Sequence, residues 1–128
     1  CVCGILGGAN ENGDFRPGAW GTEIIDEMKA GDGEIVLEGK HALSGFTNTG
    51  LAEILKKNNI KNVVCAGFLS NVCVESTARS AYDLGYKVYI AKDASASGAK
   101  SNQEYVEEQI YPLLGEALTV NEIAGKLE

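Results

Sequence analysis

Residues 63–78 read Val63-Val64-Cys65-Ala66-Gly67-Phe68-Leu69-Ser70-Asn71-Val72-Cys73-Val74-Glu75-Ser76-Thr77-Ala78. The first five are apolar without alternation, the pattern of a central parallel strand covered on both faces. A turn through Ser70-Asn71 then leads into a helix from about Cys73 to Leu84, with Val74, Ala78 and Ala81 at helical spacing. Gly85 ends that helix, since glycine takes the left-handed cap conformation at no steric cost.

The same alternation of strand and helix extends in both directions. Downstream, Val88-Tyr89-Ile90 is a strand that ends at Asp93-Ala94. Glu104 to Leu114 is a helix packing through Tyr105, Ile110 and Leu114. Leu118-Thr119-Val120 is a last strand, and Asn121 caps a terminal helix. Upstream, Thr49 caps a helix running to Lys57, with Leu51, Ile54 and Leu55 on one face. Ile35-Val36-Leu37 is a short strand followed by Gly39-Lys40. Thr22 caps a short helix to Lys29 through Ile24, Ile25 and Met28. Ala9 to Trp20 is a turn-rich loop, and Val2–Leu6, closed by Gly7-Gly8, reads as a buried strand. Strands alternating with helices of this length predict an α/β fold, a parallel sheet with helices on both faces.

The chain has 128 residues, room for one domain over 1–128. Apolar residues make up 45% of it, enough for a buried core. Lys and Arg number 11 against 18 Asp and Glu, a net charge of −7 that repels phosphate backbones and argues against a nucleic-acid partner. No apolar run approaches the ~20 residues that span a bilayer, so no membrane partner is expected. The cysteines are Cys1, Cys3, Cys65 and Cys73, with no C-x-x-C pair. His41 is the single histidine and cannot complete a tetrahedral site with them, so no metal or cofactor is expected. The cysteine pattern reads as reduced and intracellular, hence cytoplasmic. The chain opens on Cys1 inside an apolar run, from which we expect further sequence upstream.

Open parallel sheets bind ligands beyond the carboxyl ends of their strands, where Lys40, Cys73 and Asp93 fall. A thiol at the start of a helix faces unpaired amides that favour a thiolate and can hold an oxyanion; a nearby ammonium from Lys40 adds to both effects. On position alone Cys73 is open to two readings, nucleophile or buried structural cysteine. Lys40 is likewise either part of a reaction centre or a solvated lysine after a strand. Asp93 reads as structural, bonding turn amides. His41 can in principle activate Cys73, or can simply be exposed in a loop. Trp20, Phe46 and Asn71 are pocket candidates, with ordinary packing the alternative for the aromatics. Cys65, inside a strand, is expected to be inert.

Lys40-His41-Ala42-Leu43-Ser44-Gly45-Phe46-Thr47-Asn48-Thr49-Gly50-Leu51 and Gly67-Phe68-Leu69-Ser70-Asn71-Val72-Cys73-Val74-Glu75-Ser76-Thr77-Ala78 together resemble the lysine and nucleophile segments of the isochorismatase-like cysteine hydrolases. Ala81, Gly85-Tyr86, Val88 and Asp93-Ala94 continue the likeness, as does Pro17 to Ile24 upstream. The resemblance implies a three-layer α/β/α domain with a six-stranded parallel sheet, of which this chain is the carboxy-terminal two-thirds. It implies a Cys–Lys–Asp triad in which Cys73 attacks an amide carbonyl to form a thioester and Lys40 supports the charges. It further implies an oxyanion hole from the Leu69 and Cys73 amides and a cis peptide at Phe68–Leu69.

The aspartate of the triad belongs to a first strand upstream of the lysine segment. Asp14 lies in a loop and does not supply it, so this chain by itself is expected to be weak or inactive. The expected substrate is a small molecule. Self-association is also expected, with Phe46 and Tyr111 contributing. Two functions follow: a hydrolase of small amide-type C–N bonds, or a relative that keeps the fold for binding or assembly without turnover.

Overall fold

The computed structural model describes residues 4–13 and 16–127. They fall into two compact units, Cys1–Val36 and Leu37–Glu128.

In the second unit, three strands form one parallel sheet in the order β1-β2-β3: β1 (Asn62–Phe68), β2 (Lys87–Ala96) and β3 (Glu116–Leu118). Alternate residues of a strand face opposite sides of its sheet, and β2 uses both. Val88 and Ile90 pack with Cys65, Val74, Ala78, Ala81, Val106, Tyr111 and Leu114. Tyr89 and Ala91 pack with Ile123 and Leu118 in a second cluster. Helix α3 (Glu75–Asp83) and the helical run of residues 100–114 therefore cover one face, and α6 (Val120–Leu127) the other. This is the three-layer α/β/α arrangement, with three of the six strands that the resemblance implied formed by the described residues.

β1 departs from its sequence reading. It pairs with β2 alone among the described residues, and apart from Cys65 its side chains are not buried. The apolar pattern marks a strand correctly but does not guarantee that both faces are covered. Its register with β2 shifts between Cys65 and Gly67, where Gly67 takes φ +122°.

Helix α3 ends as expected. The Tyr86 N–H bonds the Ala81 carbonyl and the Gly85 N–H that of Tyr82, with Gly85 at φ +83°. Helix α2 (Leu51–Lys57) also forms where read, the Leu51 N–H donating to Thr49 Oγ1. The helix near residues 104–114 is longer, with Ile110 and Leu114 packed as read: α4 (Lys100–Tyr105), a π-helical turn (Val106–Ile110), then α5 (Tyr111–Leu114). A π turn inserts an extra residue and rotates the following face, so Val106 and Tyr111, five apart, are both buried and Tyr105 is exposed. Tyr111, expected at an oligomer surface, is wholly interior. The last strand stops at Leu118, because Thr119 and Glu122 cap α6: the Glu122 N–H donates to Thr119 Oγ1 and the Thr119 N–H to Glu122 Oε2. Asn121, read as the cap, lies inside that helix.

The first unit departs most from its sequence reading. Gly4–Asn12 is a helix, α1, where a strand was expected at Val2–Leu6; Val2, Cys1, Cys3 and Asp14 lie outside the described residues. A strand needs a neighbour for its backbone groups, and the described residues of this unit contain none, whereas a helix satisfies them internally. The Thr22–Lys29 helix is replaced by two 3₁₀ turns, Trp20–Thr22 and Asp26–Met28, split by extended backbone at Ile25. Thr22 does not cap, since its hydroxyl donates backwards to the Ala19 carbonyl at 2.7 Å. Ile35-Val36-Leu37 forms no strand.

Candidate active site

Cys73 is set by the turn that joins β1 to α3. The Val72 and Val74 N–H groups both donate to the Leu69 carbonyl at 3.1 Å, which folds Ser70–Val74 into a π-helical turn running straight into α3. Helical geometry therefore starts at Ser70, three residues before the position read from sequence, and Cys73 lies inside the turn instead of at the first residue of a helix. The Phe68–Leu69 peptide immediately before it is cis. Beneath the turn, the buried Tyr111 hydroxyl donates to the Ser70 carbonyl at 3.0 Å across 41 residues. Burial, with Glu107 and Glu75 nearby, pushes that phenol up to about 12. Ser97 Oγ donates to Asn71 Oδ1 at 2.9 Å and ties the segment after β2 to the same turn.

A cavity of about 520 Å³ opens beside this turn, and both Cys73 and Lys40 line it. Its wall includes β1 from Asn62 to Phe68, Leu51 and Leu55 of α2, and Thr77 of α3. Among the described residues, no Asp, Glu or His lines it. Cys73 is half-buried, whereas Cys65 is only 5% exposed and burial pushes its thiol up to about 11. At neutral pH Cys65 therefore stays protonated, and the two cysteines of one wall differ in access to solvent.

Lys40 stands in irregular backbone, not at the end of a strand, and its Nζ donates to the Ala42 carbonyl at 2.8 Å. The loop that carries it is fastened to α3. Ser44 Oγ and Ser80 Oγ are 2.8 Å apart, and the Gly45 N–H donates to Thr77 Oγ1 at 3.0 Å. Sequence reasoning did not single out Ser44, Thr77 or Ser80. The Thr77 and Ser80 hydroxyls also each bond the carbonyl four residues earlier, on the helix face that meets the loop.

The other candidates fall elsewhere. Phe46 does not line the cavity; its ring stacks on Tyr86 and packs against the core. Asn71 is held by Ser97 and is also outside the lining. His41 is exposed and borders a smaller hollow with Gly39, Ala42, Thr47 and Asn48. Asp93 is structural: its Oδ1 accepts the Val120 N–H at the start of α6 at 2.8 Å. Trp20 belongs to the first unit, is 88% exposed, and lines a concavity there with Ile24 and Ile25.

A family model described as an isochorismatase domain matches residues 4–122. The chain belongs to the isochorismatase family. It is 34% identical over 109 residues to a ureidoacrylate amidohydrolase, RutB, of Agrobacterium fabrum, covering 84% of this chain and 47% of that one. Among solved structures it resembles an isochorismatase-like hydrolase from Alkaliphilus metalliredigens, with TM-score 0.79, 33% identity, and 87% of this chain covered against 60% of the other. It also resembles N-carbamoylsarcosine amidase from Thermoplasma acidophilum, with TM-score 0.68, 34% identity, and coverage of 80% and 57%. This member of the isochorismatase family thus spans about half the length of the curated relative, at 47%.

Proposed function

We propose that this chain carries the catalytic core of a hydrolase for small amide or ureide C–N bonds, working through a thioester on Cys73. What supports the reading most is that a half-buried thiol and an ammonium line one cavity. The names of two similar proteins, an amidohydrolase of a ureido compound and an amidase of a carbamoyl compound, support the substrate class.

In this mechanism Cys73 Sγ bonds to the carbonyl carbon and the carbonyl electrons move onto oxygen, where the Leu69 and Cys73 amides are the proposed donors. The carbonyl then reforms and the C–N bond breaks, the thiol's proton leaving on the nitrogen as free amine. Water adds to the thioester carbon, the C–S bond breaks, and acid and thiol separate. Lys40 supports the negative charge at each stage. Activating the water calls for a base, and the described lining residues include no carboxylate or imidazole. With these residues alone, acylation is expected to outrun deacylation.

The want of a carboxylate among the described lining residues favours a second reading, in which the fold binds a small molecule without turnover. Intact-mass analysis after incubation with an activated aryl ester separates the two. The hydrolase reading expects one acyl group per chain, on Cys73, and none on the Cys73→Ala variant. Labelling of Cys73 no faster than Cys65 refutes it and leaves the binding protein.

A further inference from the structure

Lys40 and Cys73 are supplied by separate segments, so something must fix one relative to the other. The Lys40 side chain is exposed and bonded to its own loop, so its position is that of the loop. The loop meets α3 at Gly45 and Ser44. Of the two contacts, only the one at Gly45 leads to the cysteine. The Gly45 N–H can only donate, and it fills a lone pair of Thr77 Oγ1. The hydroxyl's own proton is left for the Cys73 carbonyl, 2.8 Å away and one turn earlier. Ser80, one turn further on, bonds the Ser76 carbonyl and not the cysteine. Close approach supports the same contact: a Cβ built on Gly45 would lie 3.5 Å from the Thr77 methyl.

We propose that Thr77 is a positioning residue whose single hydroxyl clamps the Lys40 loop to the backbone of Cys73, and so sets the placement of ammonium and thiol that the reaction needs. The proposal rests on the hydrolase reading above and goes beyond it in assigning that placement to one side chain. Thr77→Val keeps the shape and removes the hydroxyl, taking from the Gly45 N–H its acceptor and from the Cys73 carbonyl the hydroxyl's bond; Thr77→Ser keeps the hydroxyl and removes the methyl.

The test is the rate at which iodoacetamide alkylates Cys73 in the 128-residue chain, read by peptide mass with Cys65 as internal reference. Thr77→Val and Lys40→Met are each expected to slow Cys73 by about five- to tenfold, the worth of one hydrogen bond or charge contact, with Thr77→Ser within about twofold of the parent. The double variant should be about as slow as either single one, because the clamp acts through Lys40. Parent-like alkylation of Thr77→Val, or a double variant showing the product of both single losses, overturns the clamp alone. A parent protein whose Cys73 reacts no faster than Cys65 overturns the hydrolase reading and the clamp with it. Should Thr77→Val not fold, hydrogen exchange at the Gly45 amide of the parent decides: protection supports the clamp, and exchange at the rate of an open loop overturns it.

Discussion

β1 and β2 lie side by side in one parallel sheet and are both rich in apolar residues, yet their surroundings differ. β2 has a strand on each edge and packed helices over both faces, so Val88, Tyr89, Ile90 and Ala91 are all buried. β1 has β2 on one edge and no other strand among the described residues, so Val64 is 44% and Phe68 67% exposed, and only Cys65 is buried. The same kind of sequence makes a core where it is enclosed and a cavity wall where it is not. Stability is thus concentrated in β2, and the surfaces open to a ligand in β1 and the turn that follows it.

The sharpest way to break this comparison is to shorten one side chain in each strand. Ile90→Ala is expected to cost roughly 2–5 kcal/mol in urea unfolding, because it leaves a void in a filled core. Val64→Ala, on the open wall, should cost less than about 1 kcal/mol. Equal losses would mean that β1 is as enclosed as its neighbour.

A next-largest effect tests the one buried residue of β1. Cys65 is raised from 9.0 to about 11 by burial, so between those values the folded chain keeps a proton that the unfolded chain releases. Stability is therefore highest below about pH 9 and declines as pH rises through the window, by roughly 2–3 kcal/mol in all. Urea titrations across that range should reveal the slope, and Cys65→Ala should reduce it, most clearly between pH 9 and 10, below the onset of the Tyr111 contribution. A parent curve with no slope would show that the thiol is hydrated.

The smallest expected effect concerns the bulge where β1 leaves its ladder. Gly67 has φ +122° with open space around it, so Gly67→Ala meets backbone strain and no neighbour. A loss of about 1–2 kcal/mol is expected, measurable as a lowered melting temperature with unchanged core signals. A stability gain would place Gly67 in ordinary extended backbone.

How far the sequence could be read followed how local the deciding physics was. The end of α3 was legible because Gly85 and the two bonds around it lie within six consecutive residues, Ala81 to Tyr86. Cys73 and Lys40 could be nominated because they sit in short motifs, and both line the cavity. Gly4–Leu6 and Ile35-Val36-Leu37 were misread as strand because an apolar run does not state whether a partner exists for its edges. In the helix at residues 100–114, Ile110 and Leu114 pack as read but Tyr105 does not, since nothing in a 3.6-residue period announces a π turn. The Thr119–Glu122 capping box was present in the letters and passed over for Asn121. The contacts of Ser44 and Thr77 were hidden for a different reason: pairings across 36 and 32 residues depend on the finished fold.

The hydrogen bond from Tyr111 to Ser70 gives the turn that carries Cys73 a dependence on chain yet to come. A polypeptide growing from its amino end already holds every residue of the cysteine motif long before the phenol that braces it from below has been synthesised. A chain halted between these two points would possess the thiol without its seat, so the turn is finished only when the later helix has packed beneath it on the same face of the sheet.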